Sequence, residues 1–332
     1  MTKHNIKKCE IIYNPVSTGF KESNLNLIAK TIHEKGISPN FKKSMYEGNL
    51  IELVKEADDE NTLVLTLGGD GTVSEAYKAY NEIDQKGLYA HVPTGTTNDM
   101  AKNFDVRYKD ADKIVKDLLD GEITLFDSYK MNNEIVCYTS VFGYLAQVPY
   151  VTNPNMKKHL GHAGYVLSAF PFIIKKPEKY LIEYETDNIK GQTNCMLGAI
   201  TNSKGFAGID LYKDVKLDDG KIELLLIKDA NPKLIASLVS DYISNTINLN
   251  KYKDYLIMDS SSNIRLTFKE TYPKFAFDND GEKSNEIITY GNDTVISKPT
   301  KNKDIKKKST RLNNFLVLFI YKKNLCRKSI SI

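Results

Sequence analysis

The chain has 332 residues, of which 41% are hydrophobic and 27% charged, a composition that predicts a soluble globular protein of about two domains. Its four cysteines are scattered without a Cys-x-x-Cys pair, which argues against a disulfide framework or a zinc site. The net charge is +4, but residues 301–332 hold ten Lys or Arg against one Asp, a net +9 that leaves residues 1–300 at −5. The basic charge therefore lies in a tail, and nucleic acid is not favoured as a partner.

No segment is expected to span a membrane or to act as a signal peptide. The first residues lack the apolar core of a signal peptide. The longest apolar run near the C-terminus, residues 315–321, is much shorter than the roughly 20 residues that span a bilayer. We therefore expect a cytoplasmic protein.

Residues 9–120 alternate short apolar runs with helical patterns. The patterns predict helices over 23–35, 50–57, from Val73 onwards and over 111–119, with strands between them. Strands that alternate with helices indicate βαβ units and a parallel sheet. The sequence thus predicts an N-terminal α/β domain over residues 1–122, completed by residues 286–299.

From Ile123 the sequence changes to strand-like runs separated by turn residues, with helical inserts near 162–175 and 232–246. This pattern is typical of an antiparallel β-rich domain, here over residues 123–285. The lysine-rich residues 300–332 are expected to form a tail that is disordered or lies at a membrane.

Three turns follow predicted strands: "NPVSTG" from Asn14, "GGDGTVSE" from Gly68 and "PTGTTNDMA" from Pro93. Each has a purely structural interpretation. The first is an Asn-Pro turn, the second contains a Thr72–Glu75 capping box, and the third ends in an Asn or Asp helix cap. All three should nevertheless lie at the carboxyl edge of the parallel sheet, where such sheets bind ligands. Their convergence predicts a site at which an anion meets backbone N–H groups.

The turns match neither a Walker A loop nor a dinucleotide fingerprint. Asp70, within the second turn, would repel a polyphosphate unless a cation lies between them or the carboxylate accepts a proton. Phosphoryl transfer with Mg²⁺ meets both needs.

These turns, together with "KLDDGKIE" from Lys216 and "FDNDGE" from Phe277, resemble the bacterial diacylglycerol kinases, soluble lipid kinases related to sphingosine kinases. The order of five motifs carries the resemblance over residues 5–299. It implies an ATP-binding α/β domain with a parallel sheet, similar to phosphofructokinase and NAD kinase. It also implies a mainly antiparallel β-sandwich domain for the lipid, with the active site in the cleft between the two.

The resemblance also implies roles for individual residues. Nucleotide contacts fall on Asn14, Pro15, Val16, Ser17, Thr18, Ser44, Gly68, Gly69, Asp70, Gly71, Thr72, Val73, Ser74 and Thr96. Asp70 and Asp99 would order Mg²⁺ through water, and Glu282 would be the general base, with Asp70 as its rival.

A second, structural Mg²⁺ would take backbone oxygens of Lys216 and Lys221 and the side chain of Asp219, with Asp218 alongside. From the residues alone, the alternative is an Asp-Gly hairpin turn.

The lipid side is less specific. Apolar residues between Tyr165 and Ile174 predict a helix face that is either core or a wall of the lipid site, and His159 and His162 are expected to be surface residues. The basic tail could contact anionic headgroups, could be disordered, or could be an extension without function.

The sequence as a whole predicts an ATP- and Mg²⁺-dependent lipid kinase that converts diacylglycerol to phosphatidate at the inner face of the membrane. The alternatives are a sister kinase for another lipid alcohol, an NAD kinase-like enzyme, and a lipid or nucleotide sensor without activity. Whether the chain forms a homodimer stays open.

Overall fold

The computed structural model describes residues 5–104, 106, 110–121, 123–143, 178–206, 209–212, 215–244, 246–270, 275–288, 293–299 and 316–317. The helices are α1 (Glu22–Glu34), α2 (Asn49–Ala57), α3 (Asp70–Glu82), α4 (Asp99–Asn103), α5 (Ala111–Asp120) and α6 (Pro232–Ile243), with a 3-10 helix over Leu249–Tyr255. The predicted helix near 162–175, its apolar wall, His159 and His162 lie outside the described residues.

The strands, in chain order, are β1 (Lys8–Tyr13), β2 (Ser38–Lys43), β3 (Thr62–Gly68), β4 (Leu88–Pro93), β5 (Thr124–Leu125), β6 (Tyr129–Met131), β7 (Glu134–Val136), β8 (Thr139–Gly143), β9 (Tyr180–Glu185), β10 (Lys190–Thr201), β11 (Gly205–Phe206), β12 (Ile209–Asp210), β13 (Ile222–Lys228), β14 (Leu256–Ser261), β15 (Ile264–Phe268), β16 (Phe275–Asn279), β17 (Glu282–Ile288), β18 (Asp293–Pro299) and β19 (Leu316–Val317).

The first sheet has a parallel core in the order β2-β1-β3-β4, with helices between successive strands. All seven residues of β3 are buried, as expected for a central strand covered on both faces. In α1, Leu25, Ile28 and Ile32 recur at helical spacing and are buried. The predicted α/β domain is confirmed.

The second sheet has eleven strands, and each of its pairs is antiparallel. One of its faces buries a cluster of aromatic rings. The Phe142 ring centroid lies 5.2 Å from that of Phe268 and 5.0 Å from that of Phe277. The predicted antiparallel domain is therefore confirmed as well.

The border between the two sheets differs from the prediction in three places. β5 pairs with β19 in the first sheet, so the change of sheet falls between β5 and β6 rather than at residue 123. β18 pairs with β15 and β6, and so it extends the second sheet instead of completing the first domain. The first sheet instead receives β19, from the expected tail, beside β4. Strand pairing depends on partners remote in sequence, which a local pattern does not specify.

None of the helices within the described ranges is long and apolar enough to cross a bilayer.

Candidate active site

The carboxyl ends of β1, β2, β3 and β4 meet at one edge of the first sheet, because these strands are parallel. The predicted nucleotide residues follow these ends. Ser44 comes directly after β2, and its N–H donates to the carbonyl of Tyr13 at the end of β1 (3.0 Å). Asn14 follows β1, and its Oδ1 accepts the N–H of Val16 (3.0 Å); the Val16 side chain is 85% exposed.

The first and third turns are bonded to each other. Gly19 N–H donates to the Thr94 carbonyl (2.7 Å), and Ser17 Oγ lies 2.8 Å from the same oxygen and 2.9 Å from Thr94 Oγ1. Thr96 Oγ1 is 3.4 Å from Thr18 Oγ1 at the surface of this junction. The predicted convergence of these turns is therefore present in the fold.

The second and third turns touch through glycines. Thr94 N–H donates to the Gly68 carbonyl (2.6 Å). A Cβ at Gly95 would lie 2.5 Å from Gly69 Cα, and one at Gly68 would lie 1.9 Å from Thr72 Oγ1. Gly71, in contrast, has open space where a Cβ would be. Thus Gly69 and Gly95 permit the second and third turns to pack on each other, Gly68 makes room for Thr72 within its own turn, and Gly71 has free space beside its Cα.

Helix α3 begins at Asp70, three residues before the predicted start. The Gly69 carbonyl accepts the N–H groups of Thr72 and Val73 and so starts the helix. The predicted capping box is wrong, because Thr72 lies inside the first turn and Glu75 Oε1 accepts the N–H of Gly48 (3.3 Å). The earlier start places the first-turn N–H groups of α3 at the ligand edge of the sheet, where they suit an anion.

Asp70 joins the second turn to the third. Its Oδ1 accepts the N–H of Met100 (3.0 Å), in the first turn of α4. Asn98, at the cap position of α4, has a φ of 52° and makes no capping bond. Its side chain instead holds the N–H and carbonyl of Gly95, at 2.9 and 2.8 Å. Asp70 therefore supplies the cap that was expected from Asn98 or Asp99.

Asp70, which is partly buried, and Asp99 form an acidic pair. Asp99 is 5% exposed and accepts a bond from Lys102 Nζ (3.1 Å). Desolvation, followed by the charge of Asp99, raises the pKa of Asp70 to about 7 against the lowering effect of the Met100 N–H. The pair thus resists carrying two full negative charges near neutral pH.

Asp280 is a site residue that the sequence reasoning missed. Its carboxylate accepts the N–H groups of Cys137, Tyr138 and Thr139 at 2.7 to 3.0 Å, and the hydroxyl of Ser74 on α3 at 3.1 Å. It is 3% exposed, and burial raises its pKa. The "DNDG" pattern indicated only a turn, because nothing local shows that the carboxylate reaches the other domain.

Glu282 opens β17, and its backbone pairs with Asn279 across the turn formed by Asp280 and Gly281. Both turn residues have positive φ, 56° and 89°. The strand that carries Glu282 is thereby tied to Ser74 on α3, the helix that begins with Asp70.

The predicted second metal site forms a closed turn. Asp219 Oδ1 accepts the N–H of Lys221 (3.0 Å), Gly220 has a φ of 69°, and Gly220 N–H donates to Asp127 Oδ2 (2.7 Å). Asp127 was not predicted, since it follows β5 without a recognisable motif. Within the described ranges, no group of three or more His, Cys, Asp or Glu has the arrangement of a metal site.

Comparisons with known proteins agree with this geometry. Residues 8–131 match the family model of the diacylglycerol kinase catalytic domain. A diacylglycerol kinase of Staphylococcus epidermidis is 30% identical over 234 residues, covering 68% of this chain and 72% of the relative. The chain belongs to the diacylglycerol kinase family.

A further relative supports the family, and two solved structures share the fold. A diacylglycerol kinase of Bacillus subtilis is 28% identical over 231 residues, covering 68% of this chain and 75% of the relative. A crystal structure of a diacylglycerol kinase from Bacillus anthracis superposes with a TM-score of 0.65 at 18% identity, covering 90% of this chain and 95% of that one. A second structure from the same bacterium superposes with a TM-score of 0.72 at 21% identity, covering 90% and 96%. The predicted resemblance is confirmed, and membership of this family supports a lipid kinase.

Proposed function

We propose that the protein transfers the γ-phosphoryl group of ATP to the hydroxyl of a lipid alcohol, converting diacylglycerol to phosphatidate. The observation that carries this proposal is the acidic pair of partly buried Asp70 and buried Asp99, placed where three strand-end turns are bonded together. Phosphoryl transfer needs such a site, because its catalysis consists mainly of positioning and of neutralising charge.

The nucleotide phosphates would lie against the first turn of α3. The N–H groups of Asp70 and Gly71 precede the first bonds of the helix, which Thr72 and Val73 make to the Gly69 carbonyl, and Gly71 has open space where a Cβ would be. The hydroxyls of Ser17, Thr18 and Thr96 border the same edge. The other residues proposed to bind the nucleotide are Asn14, Pro15, Val16, Ser44 and the α3 residues through Ser74.

The donor chemistry of the acidic pair fits Mg²⁺. Burial and the charge of Asp99 oppose ionisation of Asp70, so a divalent cation would balance the charge of the two carboxylates. Mg²⁺ prefers such oxygen ligands. When bound, the ion would neutralise charge on the transferred phosphoryl group. Asp70 and Asp99 would hold it. The turn around Asp219, with Asp218 and the carbonyls of residues 216 and 221, is proposed for a structural Mg²⁺.

We assign the general base to Glu282 and keep Asp70 as its rival. Glu282 lies on a strand that Asp280 ties to α3, which supports a position near Asp70. Replacing the base with an amide should lower kcat about a hundredfold or more without a matching change in KM for ATP. A Glu282→Gln enzyme with near-normal kcat would transfer the role to Asp70.

The activity is tested by offering γ-labelled ATP with diacylglycerol, sphingosine, monoacylglycerol and NAD to the purified chain. We expect label in phosphatidate. Label in another lipid would place the protein among the sister kinases, label in NAD would contradict lipid transfer, and no labelled product at all would favour the sensor.

We also propose that the protein works at the inner face of the membrane, where its lipid resides, with the basic tail contacting anionic headgroups. Replacing lysines 306–308 with Gln keeps β19 and removes three charges. Weaker sedimentation with vesicles of anionic lipid is expected, and unchanged sedimentation would remove the tail from this proposal.

A further inference from the structure

A chain of three buried polar side chains ends at the second turn of the candidate site. Thr66 on β3 and His91 on β4 are direct partners in the parallel sheet, and Thr66 Oγ1 lies 2.9 Å from His91 Nδ1. The same oxygen lies 2.8 Å from the hydroxyl of Tyr89. The His91 ring also bonds to the backbone carbonyl of Gly68, the last residue of β3. Each of the three side chains is at most 1% exposed, so solvent does not compete for these bonds.

The hydrogen bonds of this chain have one direction. Burial lowers the pKa of His91 to about 3, so the ring is neutral near pH 7 and carries a single N–H. A carbonyl only accepts hydrogen bonds, and that N–H must therefore point to Gly68. Because Nδ1 lies at Thr66, the N–H belongs to Nε2, and Nδ1 accepts the Thr66 hydroxyl. Tyr89 in turn donates to Thr66, and the chain of donors ends at the Gly68 carbonyl.

This carbonyl sets the orientation of the peptide between Gly68 and Gly69. It also accepts the N–H of Thr94 (2.6 Å), so both of its donors come from β4 or from the turn after it. In a trans peptide the carbonyl and the following N–H point to opposite sides. The Gly69 N–H therefore points away from β4, toward the side of β1 and the first turn. In the part of the chain that the structure describes, this N–H has no hydrogen-bond partner.

The peptide needs such a restraint, because neither of its residues has a side chain to limit its rotation. A larger residue cannot supply the restraint at Gly68, where a Cβ would lie 1.9 Å from Thr72 Oγ1. The Thr94 N–H belongs to the third turn and moves with it. His91, in contrast, stands on a buried strand. Its ring is therefore the donor whose place is fixed by the core of the sheet.

We propose that His91 is a positioning residue of the nucleotide site, whose ring holds the Gly68–Gly69 peptide so that the Gly69 N–H faces a phosphate of the nucleotide. A backbone N–H at the ligand edge of the sheet suits such an anion. His91 acts through the peptide and makes no contact with the ligand. This inference rests on the proposed function, because that function supplies the nucleotide phosphate.

Replacing His91 with two different amides tests the role. Gln carries its amide nitrogen to the place of Nε2 and can still donate to Gly68, whereas Asn reaches only the place of Nδ1. With Mg²⁺ present, His91→Asn should raise the Kd for ATP about tenfold to a hundredfold, the effect of one lost hydrogen bond to a charged group. His91→Gln should stay within about threefold of wild type, because it keeps the donor.

Thr31→Val is the matched control. Thr31 is 3% exposed, and its hydroxyl bonds to the Leu27 carbonyl (2.9 Å) and to Asp112 on α5, away from the turns. This variant should have a lower Tm and an unchanged Kd for ATP, because loss of folded protein lowers the number of binding sites and not their affinity. Isothermal titration calorimetry measures the two quantities separately.

A measurement on wild type needs no variant. Nitrogen NMR should show the His91 ring with its proton on Nε2. The amide proton of Gly69 should shift downfield when ATP and Mg²⁺ are added, because a charged acceptor then bonds to it. If His91→Asn does not fold, these two signals decide the role.

Four results would overturn the role and leave His91 as a core side chain only. They are an unchanged Kd in His91→Asn, equal weakening by both amides, a ring proton on Nδ1, and a Gly69 amide that ATP does not shift. If wild type binds no ATP, the proposed function fails and the role fails with it. If wild type binds ATP and one of the four results is found, the role fails alone.

Discussion

Asp70 serves the fold and the proposed chemistry with the same carboxylate. One oxygen caps α4 through the N–H of Met100, and the partly buried group lies beside buried Asp99. Burial and the neighbouring charge keep its pKa near 7, whereas an ordinary Asp releases its proton near 3.8. A carboxyl group that is costly to ionise in the free protein is stabilised most in its ionised form when a cation binds beside it. This position therefore suits a site for Mg²⁺ and polyphosphate.

This shift predicts a pH dependence of stability. Between about pH 4 and 7 the folded protein keeps the Asp70 proton and the unfolded chain releases it, so the free energy of unfolding should fall as the pH rises. Asp70→Asn should flatten that slope, by an amount on the order of a few kcal/mol across the range. Urea unfolding at pH 5 and pH 7.5 measures it. Burial also raises the pKa of Glu223 to about 7, and this group contributes equally to the pH dependence of both proteins. Identical slopes for wild type and Asp70→Asn would therefore contradict the account.

At the scale of elements, the turns at the sheet edge act as one unit because glycines let them touch. The sequence predicted the strands, the helices and their common edge, since hydrophobic periodicity and turn residues are local signals. It could not tell that Gly69 faces Gly95, or that Asp280 reaches Ser74, because both contacts join residues remote in sequence. The predicted start of α3 was too late, because the Thr72–Glu75 pattern indicated a cap at Thr72 whereas the Gly69 carbonyl makes the first helical bonds.

Two glycine substitutions separate packing from ligand access. Gly95→Ala places a Cβ 2.5 Å from Gly69 Cα, so it should cost about 1–3 kcal/mol of stability and at least tenfold in kcat/KM. Gly71→Ala meets open space in the first turn of α3, so stability should stay equal or rise slightly, while KM for ATP rises. Thermal melts and ATP titrations distinguish the two. Equal destabilisation by both variants would refute the distinction.

Asp280→Asn tests the contact between the domains. An amide offers one acceptor oxygen and turns an N–H toward the existing donors. The free energy of unfolding should therefore fall by about 2–3 kcal/mol. Asp187→Asn is the matched control, because Asp187 accepts bonds from Ser261 and from the N–H and hydroxyl of Ser262 but is exposed. Its cost should stay below about 1 kcal/mol. Urea unfolding that ranks the two equally would show that Asp280 is an ordinary turn residue.

At the scale of the whole molecule, the two sheets meet where the proposed chemistry occurs. Helix α3 contacts the second domain through Ser74 and Asp280, and α4 contacts it through Asn103 and Ser203. Each of these helices also carries one member of the acidic pair at its start. The fold thus couples the proposed nucleotide edge to the antiparallel sheet through α3 and α4.

The most direct test is the transfer of label from γ-labelled ATP to diacylglycerol by wild type and by Asp70→Asn, with Mg²⁺ present. The account predicts labelled phosphatidate from wild type and at least a hundredfold less from the variant, because the variant loses a carboxylate that the reaction requires. Undiminished transfer by Asp70→Asn, or no labelled lipid from wild type, would contradict it.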